Sequence, residues 1–519
     1  MAKIVYLPLD ERPCNYRYPL DLAAMTDFHL AAPDRFVLGD KKKPADTRAL
    51  AEWLLRECKD AGYAIVSVDM LLYGGIVPSR LHSLPPEECL KRLDTLRRLK
   101  KENPALRIYA FHLITRAPAY SSSEEEPDYY AECGRELYEY GWLCDKAERE
   151  GLSPDEMRRL PEVRSKIPEA VLDDFLARRR TNAAMNERSV ELVQEGVIDF
   201  LIIPLDDNSK YGYTSSDQRR LAAKVEALNL FDRIMIYPGA DEIGCTLLAR
   251  VFSEIKSFRP LFHVRYSSTR GPFSIPKYED RSLGESVKCH ITAAGASIGD
   301  GFEEPDVHLL IHSPPVGETG MAETTDGYGG RHRAYFNEVN MWEFAQAIRR
   351  CREKGRLAAL ADVALCNGGD HTLMKMLAKT GLLPALSCYA AWNTSGNALG
   401  TVVAHAVIAA YHRAEPRNGE AARKASHAFL CSRLIEDWGY QALVRQEVAV
   451  RDLPRLNAGY FNLAHVQGEV ESLIQRELQR FADEYMADLA RVQVRAVRLP
   501  WRRMFEIDLD LALDSEKKE

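Results

Sequence analysis

The sequence lacks the features that mark several common classes of protein. Its eleven cysteines are odd in number and no two have CxxC spacing, so neither a disulfide framework nor a zinc finger is supported. No apolar run reaches the roughly 18 residues of a membrane span. The uncharged stretch from Thr380 to Tyr411 is interrupted by polar residues at 393–397, and we interpret it as buried core.

The amino terminus also lacks the apolar core of a signal peptide, because Asp10, Glu11 and Arg12 interrupt its short apolar run too early. Together with scattered cysteines, which are expected to be reduced, this predicts a cytoplasmic protein. An excess of positive charge is missing too: 69 Lys and Arg stand against 76 Asp and Glu, a net charge of −7. Nucleic acid and anionic membranes need a basic surface, so neither is expected as a partner.

Motifs for common cofactors are absent as well. The sequence contains no P-loop and no GxGxxG, which argues against nucleotide hydrolases and dinucleotide-dependent dehydrogenases. Glycine (31) and proline (26) are too few in 519 residues for a low-complexity chain, and 46% hydrophobic residues can fill a large core. At about 150 residues per domain, the length indicates three to four domains or one large barrel with additions.

Short β-rich runs alternate with helix-length segments, which predicts an α/β fold with parallel sheets covered on both faces. The first six predicted strands are Lys3–Leu9, Phe28–Ala32, Tyr63–Val68, Arg107–Leu113, Asp199–Leu205 and Arg233–Tyr237. Five more are predicted at Leu261–Tyr266, Val287–Thr292, Val307–Ile311, Leu357–Ala364 and Leu386–Ala391. Eleven runs exceed the needs of an eight-stranded barrel, so the second series is assigned to a separate flavodoxin-like domain, with completion of a barrel as the alternative.

Three regions follow from this pattern. Residues 1–255 are expected to form a β/α barrel-like domain, or a barrel-like open sheet, with a helical insert at about 120–196 that contains a capping box from Ser153 to Glu156. Residues 256–412 are expected to form a second, smaller parallel α/β domain. Residues 413–519 are expected to be helical, because Val470, Ile474 and Leu478 keep helical spacing.

Polar clusters follow the strands of the first domain, where parallel α/β folds bind their ligands. The candidate substrate-binding residues there are Asp10, Glu11, Arg12 and Asn15 after the first strand, Asp69 after the third, Arg116 after the fourth, and Asn208 and Lys210 after the fifth. The candidate catalytic residues are Asp206, Asp207, Asp241 and Glu242, after the fifth and sixth strands. So many carboxylates are costly to hold together unless cations, protons or substrate hydroxyls compensate them.

Structural roles are the alternative for each of these residues. A single Asp after a strand is most often a helix cap, whereas in an adjacent pair one member can cap while the other faces a pocket. Arg12 and Arg116 are either structural ion-pair partners or substrate anchors. Asn15 and Asn208 are either ligands or turn residues.

The second half adds Trp392 and Asn393 after a predicted strand. An exposed Trp beside an amide binds the apolar face and the hydroxyls of a sugar together, but a buried Trp beside a turn-forming Asn fits equally well. His308 and His312 have no acidic partner at zincin spacing, so we interpret them as core or rim histidines.

Two resemblances follow from these segments. The opening YLPLDERPCN, the segment PLDDNSKYG and the later AAWNTSGNALGT together resemble a bacterial family catalogued as a domain of unknown function. That resemblance covers most of the chain and implies no particular reaction.

The second resemblance is local. Residues 236–243, IYPGADEI, resemble the strand-end Gly-Gly-Asp-Glu-Val motif of family-twenty β-N-acetylhexosaminidases. It implies that Asp241 orients the 2-acetamido group of the substrate and that Glu242 protonates the leaving oxygen. Ala240 replaces the second glycine of the family, and the motif follows the sixth strand rather than an earlier one. Asp206 and Asp207 form a rival pair, because other substrate-assisted hexosaminidases use adjacent aspartates.

Three functional hypotheses result. The first is a retaining, substrate-assisted glycoside hydrolase that acts on an N-acetylhexosaminide or related small carbohydrate and needs no cofactor. The second is a magnesium- or manganese-dependent hydrolase that uses the strand-end aspartates as metal ligands. The third is a non-catalytic cytoplasmic sugar- or polyol-binding protein. The sequence is compatible with a monomer and with a homo-oligomer.

Overall fold

The computed structural model describes residues 2–299, 301, 303–415 and 419–514. The chain divides into two compact units. The first consists of residues 1–11, 27–244 and 278–280, and the second of residues 12–26, 245–277 and 281–519. The first helix of the chain, α1 (Arg17–Ala23), therefore belongs to the second unit.

A six-stranded parallel sheet forms the centre of the first unit. Its strands are β1 (Lys3–Leu7), β2 (His29–Ala31), β3 (Tyr63–Ser67), β4 (Arg107–Phe111), β5 (Phe200–Leu205) and β6 (Ile234–Pro238). Every residue of β5, with the sequence FLIIPL, is buried, as expected for a strand covered on both faces. The predicted parallel α/β fold is confirmed.

The strand order of this sheet is β2-β1-β3-β4-β5-β6. The chain moves in one direction from β1 to β2 and in the other direction from β3 onward, so the order switches between β1 and β3. This is the order of doubly wound sheets, which bind ligands beyond the carboxyl ends of the strands at such a switch point.

Helices follow the strands of the first unit. They are α2 (Thr47–Glu57), α3 (Val68–Tyr73), α4 (Ile76–Leu81), α5 (Pro86–Leu93), α6 (Thr95–Glu102), α7 (Tyr130–Arg149), α8 (Pro154–Ser165), α9 (Glu169–Gln194) and α10 (Tyr213–Ala227). The capping box predicted before α8 is confirmed: Ser153 Oγ accepts the Glu156 N–H at 3.3 Å, and Glu156 Oε2 accepts the Ser153 N–H at 2.8 Å.

The second unit contains a five-stranded parallel sheet. Its strands are β7 (Leu261–Tyr266), β8 (Ser297–Ile298), β9 (Val307–His312), β10 (Leu357–Asp362) and β11 (Cys388–Ala390), in the order β11-β10-β9-β7-β8. This is the flavodoxin-like order, and its switch point lies between β7 and β9. A separate antiparallel pair is formed by β12 (Arg491–Arg498) and β13 (Asp508–Asp514).

The remaining helices are α11 (Ile243–Lys256), α12 (Leu283–Ala293), α13 (Ala334–Asn337), α14 (Met341–Glu353), α15 (His371–Lys379), α16 (Ser395–Ala414), α17 (Glu420–Arg433), α18 (Arg445–Arg451) and α19 (Gln467–Tyr485). A π-helical stretch, Leu434–Val444, joins α17 to α18. The uncharged segment of the sequence forms a short 3-10 helix (Leu383–Ala385), the strand β11 and most of the helix α16, and most residues of α16 are buried. No membrane-crossing helix is found in the described ranges, because none joins the necessary length to the necessary apolar character.

One predicted strand is wrong. Residues Val287–Thr292 lie inside α12, where Leu283, Val287 and Ile291 recur at helical spacing and are buried together. The sequence of a short apolar run with β-branched residues does not distinguish a buried strand from a buried helix. The apolar face of α19 is confirmed, since Val470, Ile474 and Leu478 are all buried.

Candidate active site

Most of the predicted site residues lie in the first unit, directly after its strands. The buried ones are Asp10 after β1, Asp69 after β3, Asp206 after β5, and Asp241 and Glu242 after β6, each at most 6% exposed. Because the strands are parallel, these carboxyl groups belong to one edge of one sheet.

Asp69 lies in the first turn of α3, at the switch point of the first sheet. Ser67 caps this helix, since its Oγ accepts the Met70 N–H at 3.1 Å, so Asp69 is available for another role. Asp69 Oδ2 accepts the Leu113 N–H at 2.9 Å. Burial raises the pKa of Asp69 to about 7, and the nearby Asp206 raises it further while Arg80 opposes the shift.

Two buried arginines compensate the carboxylates at the end of β5. Arg80 Nη2 donates to Asp206 Oδ2 at 2.6 Å, and Arg80 Nη1 donates to Glu125 Oε2 at 2.9 Å. Arg116 donates through Nη1 to Asp207 Oδ2 at 3.0 Å and through Nη2 to Glu125 Oε2 at 3.1 Å. We call these residues, together with Glu126, the arginine network.

Glu126 completes the arginine network. It accepts from Arg116 Nε at 2.9 Å, and Arg80 Nη1 lies 3.6 Å from it. Burial raises the pKa of Glu126 and of Asp207, although both arginines oppose the shift. Two guanidinium groups face four carboxyl groups. Arg116 therefore has the ion pairs that its structural role predicts, and its role as a substrate anchor stays a prediction.

Glu242 has a different environment from the aspartates after β5. Its side chain is buried, and Oε2 accepts the Ala240 N–H at 2.9 Å. Burial raises the pKa of Glu242 to about 8; its backbone hydrogen bonds oppose the shift, whereas the charges of Asp241 and Glu279 add to it. At neutral pH this carboxyl group therefore holds its proton.

Gly239 brings the backbone close to that carboxyl group. Its φ is +155°, and a Cβ at this position would lie 2.0 Å from Glu242 Oε1. The glycine of the strand-end motif therefore leaves the space in which the Glu242 carboxyl lies.

The stability of the protein should depend less on pH when Glu242 is replaced by Gln. The carboxyl keeps its proton up to about pH 8 in the folded protein, but ionises near pH 4.5 when the chain is unfolded. The stability that the Glu242 carboxyl contributes is thus fully present below pH 4.5. It is lost progressively as the pH rises from 4.5 to about 8, because the unfolded chain ionises in this range and the folded protein does not. Glu242→Gln should remove a slope of about 1.4 kcal/mol per pH unit in this window.

Urea unfolding of wild type and Glu242→Gln across that pH range measures the slope. Glu226→Gln, on the exposed side of α10, is the matched control and should keep the wild-type slope. Equal slopes for wild type and Glu242→Gln would mean that Glu242 ionises at an ordinary pH.

The other predicted residues of the first unit have structural contacts. Asn208 Oδ1 accepts from the Ser209 N–H and the Ser215 hydroxyl, at 2.9 and 3.1 Å, so Asn208 orders its own turn. Glu11 Oε1 accepts the Lys41 N–H at 3.0 Å. Lys210 is exposed, and its Nζ lies 3.1 Å from Glu150 Oε1.

Four predicted residues belong to the second unit. Arg12 Nη1 lies 3.5 Å from Glu506 Oε2, and its guanidinium lies 4.6 Å from the ring centre of Trp501. Asn15 is 1% exposed. Trp392 is 4% exposed, and Asn393 has a φ of 58° in a left-handed turn; this is the buried-Trp alternative of the sequence analysis.

Arg80, Glu125, Glu126 and Glu279 were not predicted from the sequence. The run of three glutamates at 124–126 can be seen in the sequence, but it precedes a helix. The candidate residues were sought directly after strands, so this run was not included. Arg80 lies within α4 and carries no local signal. Across the described ranges, no group of three or more His, Cys, Asp or Glu side chains is arranged to hold a metal ion.

The sequence matches a protein family over nearly its whole length. The family is described as "Protein of unknown function (DUF4127)", and the match covers residues 4–510. The chain belongs to DUF4127. The resemblance of its opening segment to a family of unknown function is therefore confirmed. The chain matches no curated protein.

Similarity to solved structures adds nothing to the DUF4127 membership. The chain is similar to a Rhizobium etli pyruvate carboxylase variant with acetyl coenzyme A, at 10% identity and a TM-score of 0.20, over 88% of this chain and 29% of that one. It is also similar to the carboxyl transferase domain of the Rhizobium etli enzyme with 3-bromopyruvate, at 9% identity and a TM-score of 0.18, over 93% and 60%. The chain thus spans less than two thirds of either protein.

Proposed function

We propose that the first unit carries the active site of a retaining glycoside hydrolase that acts on an N-acetylhexosaminide or a related small glycoside. The observation that supports this most is the buried Glu242 carboxyl, whose pKa is raised to about 8, next to Asp241 at the end of β6. A glycosidase needs such a neutral acid beside a second carboxylate, with the two groups kept in different protonation states.

In the proposed reaction Asp241 orients the acetamido group of the substrate. The acetamido oxygen attacks the anomeric carbon while Glu242 transfers its proton to the leaving glycosidic oxygen, so that the glycosidic bond breaks and a cyclic oxazolinium ion forms. Glu242, now ionised, takes a proton from the water that opens this ring. Two displacements at the anomeric carbon retain its configuration.

The rival pair Asp206 and Asp207 is less suited to the role of acid. Oxygens of both carboxylates already accept hydrogen bonds from Arg80 and Arg116. The pKa of Asp207, which burial raises to about 6 against the opposing charge of Arg116, lies below that of Glu242 at about 8, so Asp207 is less often protonated at neutral pH and is the weaker candidate for the acid. We therefore assign the arginine network to positioning the strand ends.

The proposed enzyme needs no cofactor and works in the cytoplasm. All eleven cysteines, each in a described part of the chain, are thiols, and nine of them are buried. This matches a reducing compartment.

The activity is tested with a panel of nitrophenyl N-acetylhexosaminides and simple nitrophenyl hexosides, with and without EDTA. The proposal expects release of nitrophenol from at least one N-acetylhexosaminide that EDTA leaves unchanged. Activity that EDTA abolishes and manganese restores would favour the metal-dependent alternative. Binding of N-acetylglucosamine without hydrolysis of any glycoside would favour a sugar-binding protein. Either result would overturn the proposal.

Gly239→Ala should lower the rate of hydrolysis about 100-fold, because the new Cβ displaces the Glu242 carboxyl and an error of about 1 Å at a reacting group costs this much. Gly196→Ala is the matched control. Gly196 also has a positive φ, of +75°, but a Cβ there meets nothing within 4 Å. The control should lose some stability and keep its activity. Equal activities of the two variants would contradict the role of Gly239.

A further inference from the structure

An open cleft of about 840 Å³ lies beside the carboxyl end of β7 in the second unit. Its lining includes Tyr266, Ser267, Tyr328 and Phe336. Ser267 follows β7 directly, next to the switch point between β7 and β9. Doubly wound sheets bind small molecules at this position.

Three side chains form a hydrogen-bonded chain behind this cleft. Ser267 Oγ lies 2.9 Å from His312 Nδ1, and His312 Nε2 lies 3.2 Å from Asp370 Oδ2. The imidazole and the carboxylate are almost fully buried, while Ser267 lines the cleft. In the tautomer with its proton on Nε2, His312 donates to Asp370 and accepts the hydroxyl proton of Ser267.

Asp370 is held firmly in this arrangement. Its Oδ1 accepts the Thr372 N–H at 3.0 Å as the cap of α15, and its Oδ2 accepts from Arg331 Nη1 at 3.1 Å. Its own N–H donates to Asp362 Oδ2 at 2.8 Å. Burial alone would lower the pKa of His312, but the hydrogen bond to Asp370 and the charges of Asp362 and Asp370 raise it, against the opposing charge of Arg331.

The side chains around Ser267, His312 and Asp370 differ from those of an ordinary protein core, in which the buried polar atoms are hydrogen-bonded. Asp362 Oδ1, Ser313 Oγ and Arg331 Nε are buried and have no hydrogen-bond partner within the described residues. Buried polar atoms are nearly always paired in folded proteins, so each of these three atoms has room for a further partner, such as a water molecule or a ligand. The unpaired atoms lie on residues at or beside the ends of β9 and β10, together with Arg331.

We propose that Ser267, His312 and Asp370 form a second catalytic centre, which hydrolyses carboxylic esters by acyl transfer through Ser267 Oγ. A serine, a histidine and an aspartate in this order of contacts are the parts of a hydrolytic triad, which is recognised by geometry rather than by sequence position.

The reaction proceeds in two steps and consumes only the ester and water. His312 Nδ1 takes the hydroxyl proton of Ser267 as Oγ bonds to the ester carbonyl carbon; the ester C–O bond then breaks, and the leaving alkoxide takes the proton from His312. Water, deprotonated by His312, attacks the acyl-serine, and the acid leaves as Ser267 regains its proton.

The cleft favours an uncharged ester with an apolar part. The rings of Tyr328 and Phe336 lie 4.8 Å apart, edge to face, and both are partly exposed. The charged residues that line it are already paired: Arg265 with Glu343, both on its walls, and Glu338 with Arg270, which lies outside the lining. A ligand with a formal charge would therefore have no unpaired counter-charge on these walls.

A different serine matches the sequence pattern of serine hydrolases. Gly295, Ala296, Ser297, Ile298 and Gly299 fit Gly-x-Ser-x-Gly. In hydrolases that motif follows a strand and precedes a helix, whereas here Ser297 follows α12 and begins the exposed edge strand β8. Ser297 is therefore the matched control for Ser267.

The test uses the full-length protein and a fluorophosphonate probe, whose phosphorus bonds to a nucleophilic serine as fluoride leaves. Tandem mass spectrometry of the labelled wild type locates the modified residue without any variant. We expect one label, on Ser267, and hydrolysis of 4-nitrophenyl acetate that Ser267→Ala slows about 1,000-fold.

The control variants separate this result from general reactivity. Ser297→Ala should label and hydrolyse as the wild type does, and Ser267→Ala should keep the near-UV circular dichroism of the folded protein. The labelling rate should rise with pH as His312 loses its proton. No label on the wild type, or a label on any residue other than Ser267, would overturn the proposal, whatever the outcome for the glycosidase activity of the first unit.

Discussion

Glu242→Gln should lower the hydrolysis of glycosides with poor leaving groups by about 1,000-fold, because a general acid contributes this much when the leaving oxygen must be protonated. The amide of Gln has nearly the shape of the neutral carboxyl group and can occupy the space beside Gly239, but it has no acidic proton. The buried position of Glu242 should therefore remain filled in the variant.

The leaving group distinguishes an acid from a merely structural residue. A dinitrophenolate departs without protonation, so a dinitrophenyl glycoside should lose far less rate in Glu242→Gln than a methyl or disaccharide glycoside does. Glu226→Gln should leave both rates unchanged, since Glu226 is exposed on α10. An equal loss for both substrates would show that the variant has damaged the site in general and would contradict the role of Glu242 as acid.

Arg80→Gln should destabilise the protein by about 3–5 kcal/mol at neutral pH, the cost of removing one partner from a buried ion pair. Arg80 is 5% exposed and pairs with Asp206 and Glu125. Its loss removes this counter-charge from the buried Asp206 and leaves the partly buried Glu125 paired with Arg116. Urea unfolding at neutral pH measures the difference.

The matched control for Arg80 is Arg48→Gln. Arg48 also pairs with a carboxylate, Glu52 at 3.1 Å, but its side chain is 89% exposed, so its loss should cost less than about 1 kcal/mol. The destabilisation by Arg80→Gln should shrink as the pH is lowered, because protons then neutralise the same carboxylates. If the two variants had similar stabilities, the arginine network would not be what holds the strand ends together.

The position of the candidate site could be predicted from the sequence because of one rule of parallel sheets. Their carboxyl ends meet at one edge, so the polar residues after β1, β3, β5 and β6 had to lie on the same side of the first sheet. The rule needs only the alternation of strands and helices, which the apolar runs show. It fails where the run itself is ambiguous, as at 287–292, where the apolar residues line one face of a helix.

The partners of these residues could not be predicted in the same way. Arg80 reaches Asp206 from a short helix, and Glu125 and Glu126 reach both arginines from a loop, so the pairing depends on tertiary structure. The same holds for Ser267, His312 and Asp370, which follow three different segments of the second unit and carry no common local pattern. His312 was expected to be a core or rim histidine, and its burial agrees with that; its two hydrogen bonds became visible only in the structure.

The protonation state of Glu242 decides most directly whether this residue is the acid, because both the proposed mechanism and the expected pH dependence of stability require a protonated carboxyl group. Infrared difference spectra of wild type against Glu242→Gln, recorded as a function of pH, isolate the absorption of this single carboxyl group. We expect the band of a protonated carboxylic acid at pH 7, which disappears with a midpoint near pH 8. A carboxylate band at pH 7, with a midpoint near 4.5, would show that Glu242 is an ordinary ionised glutamate and would contradict its role as the acid.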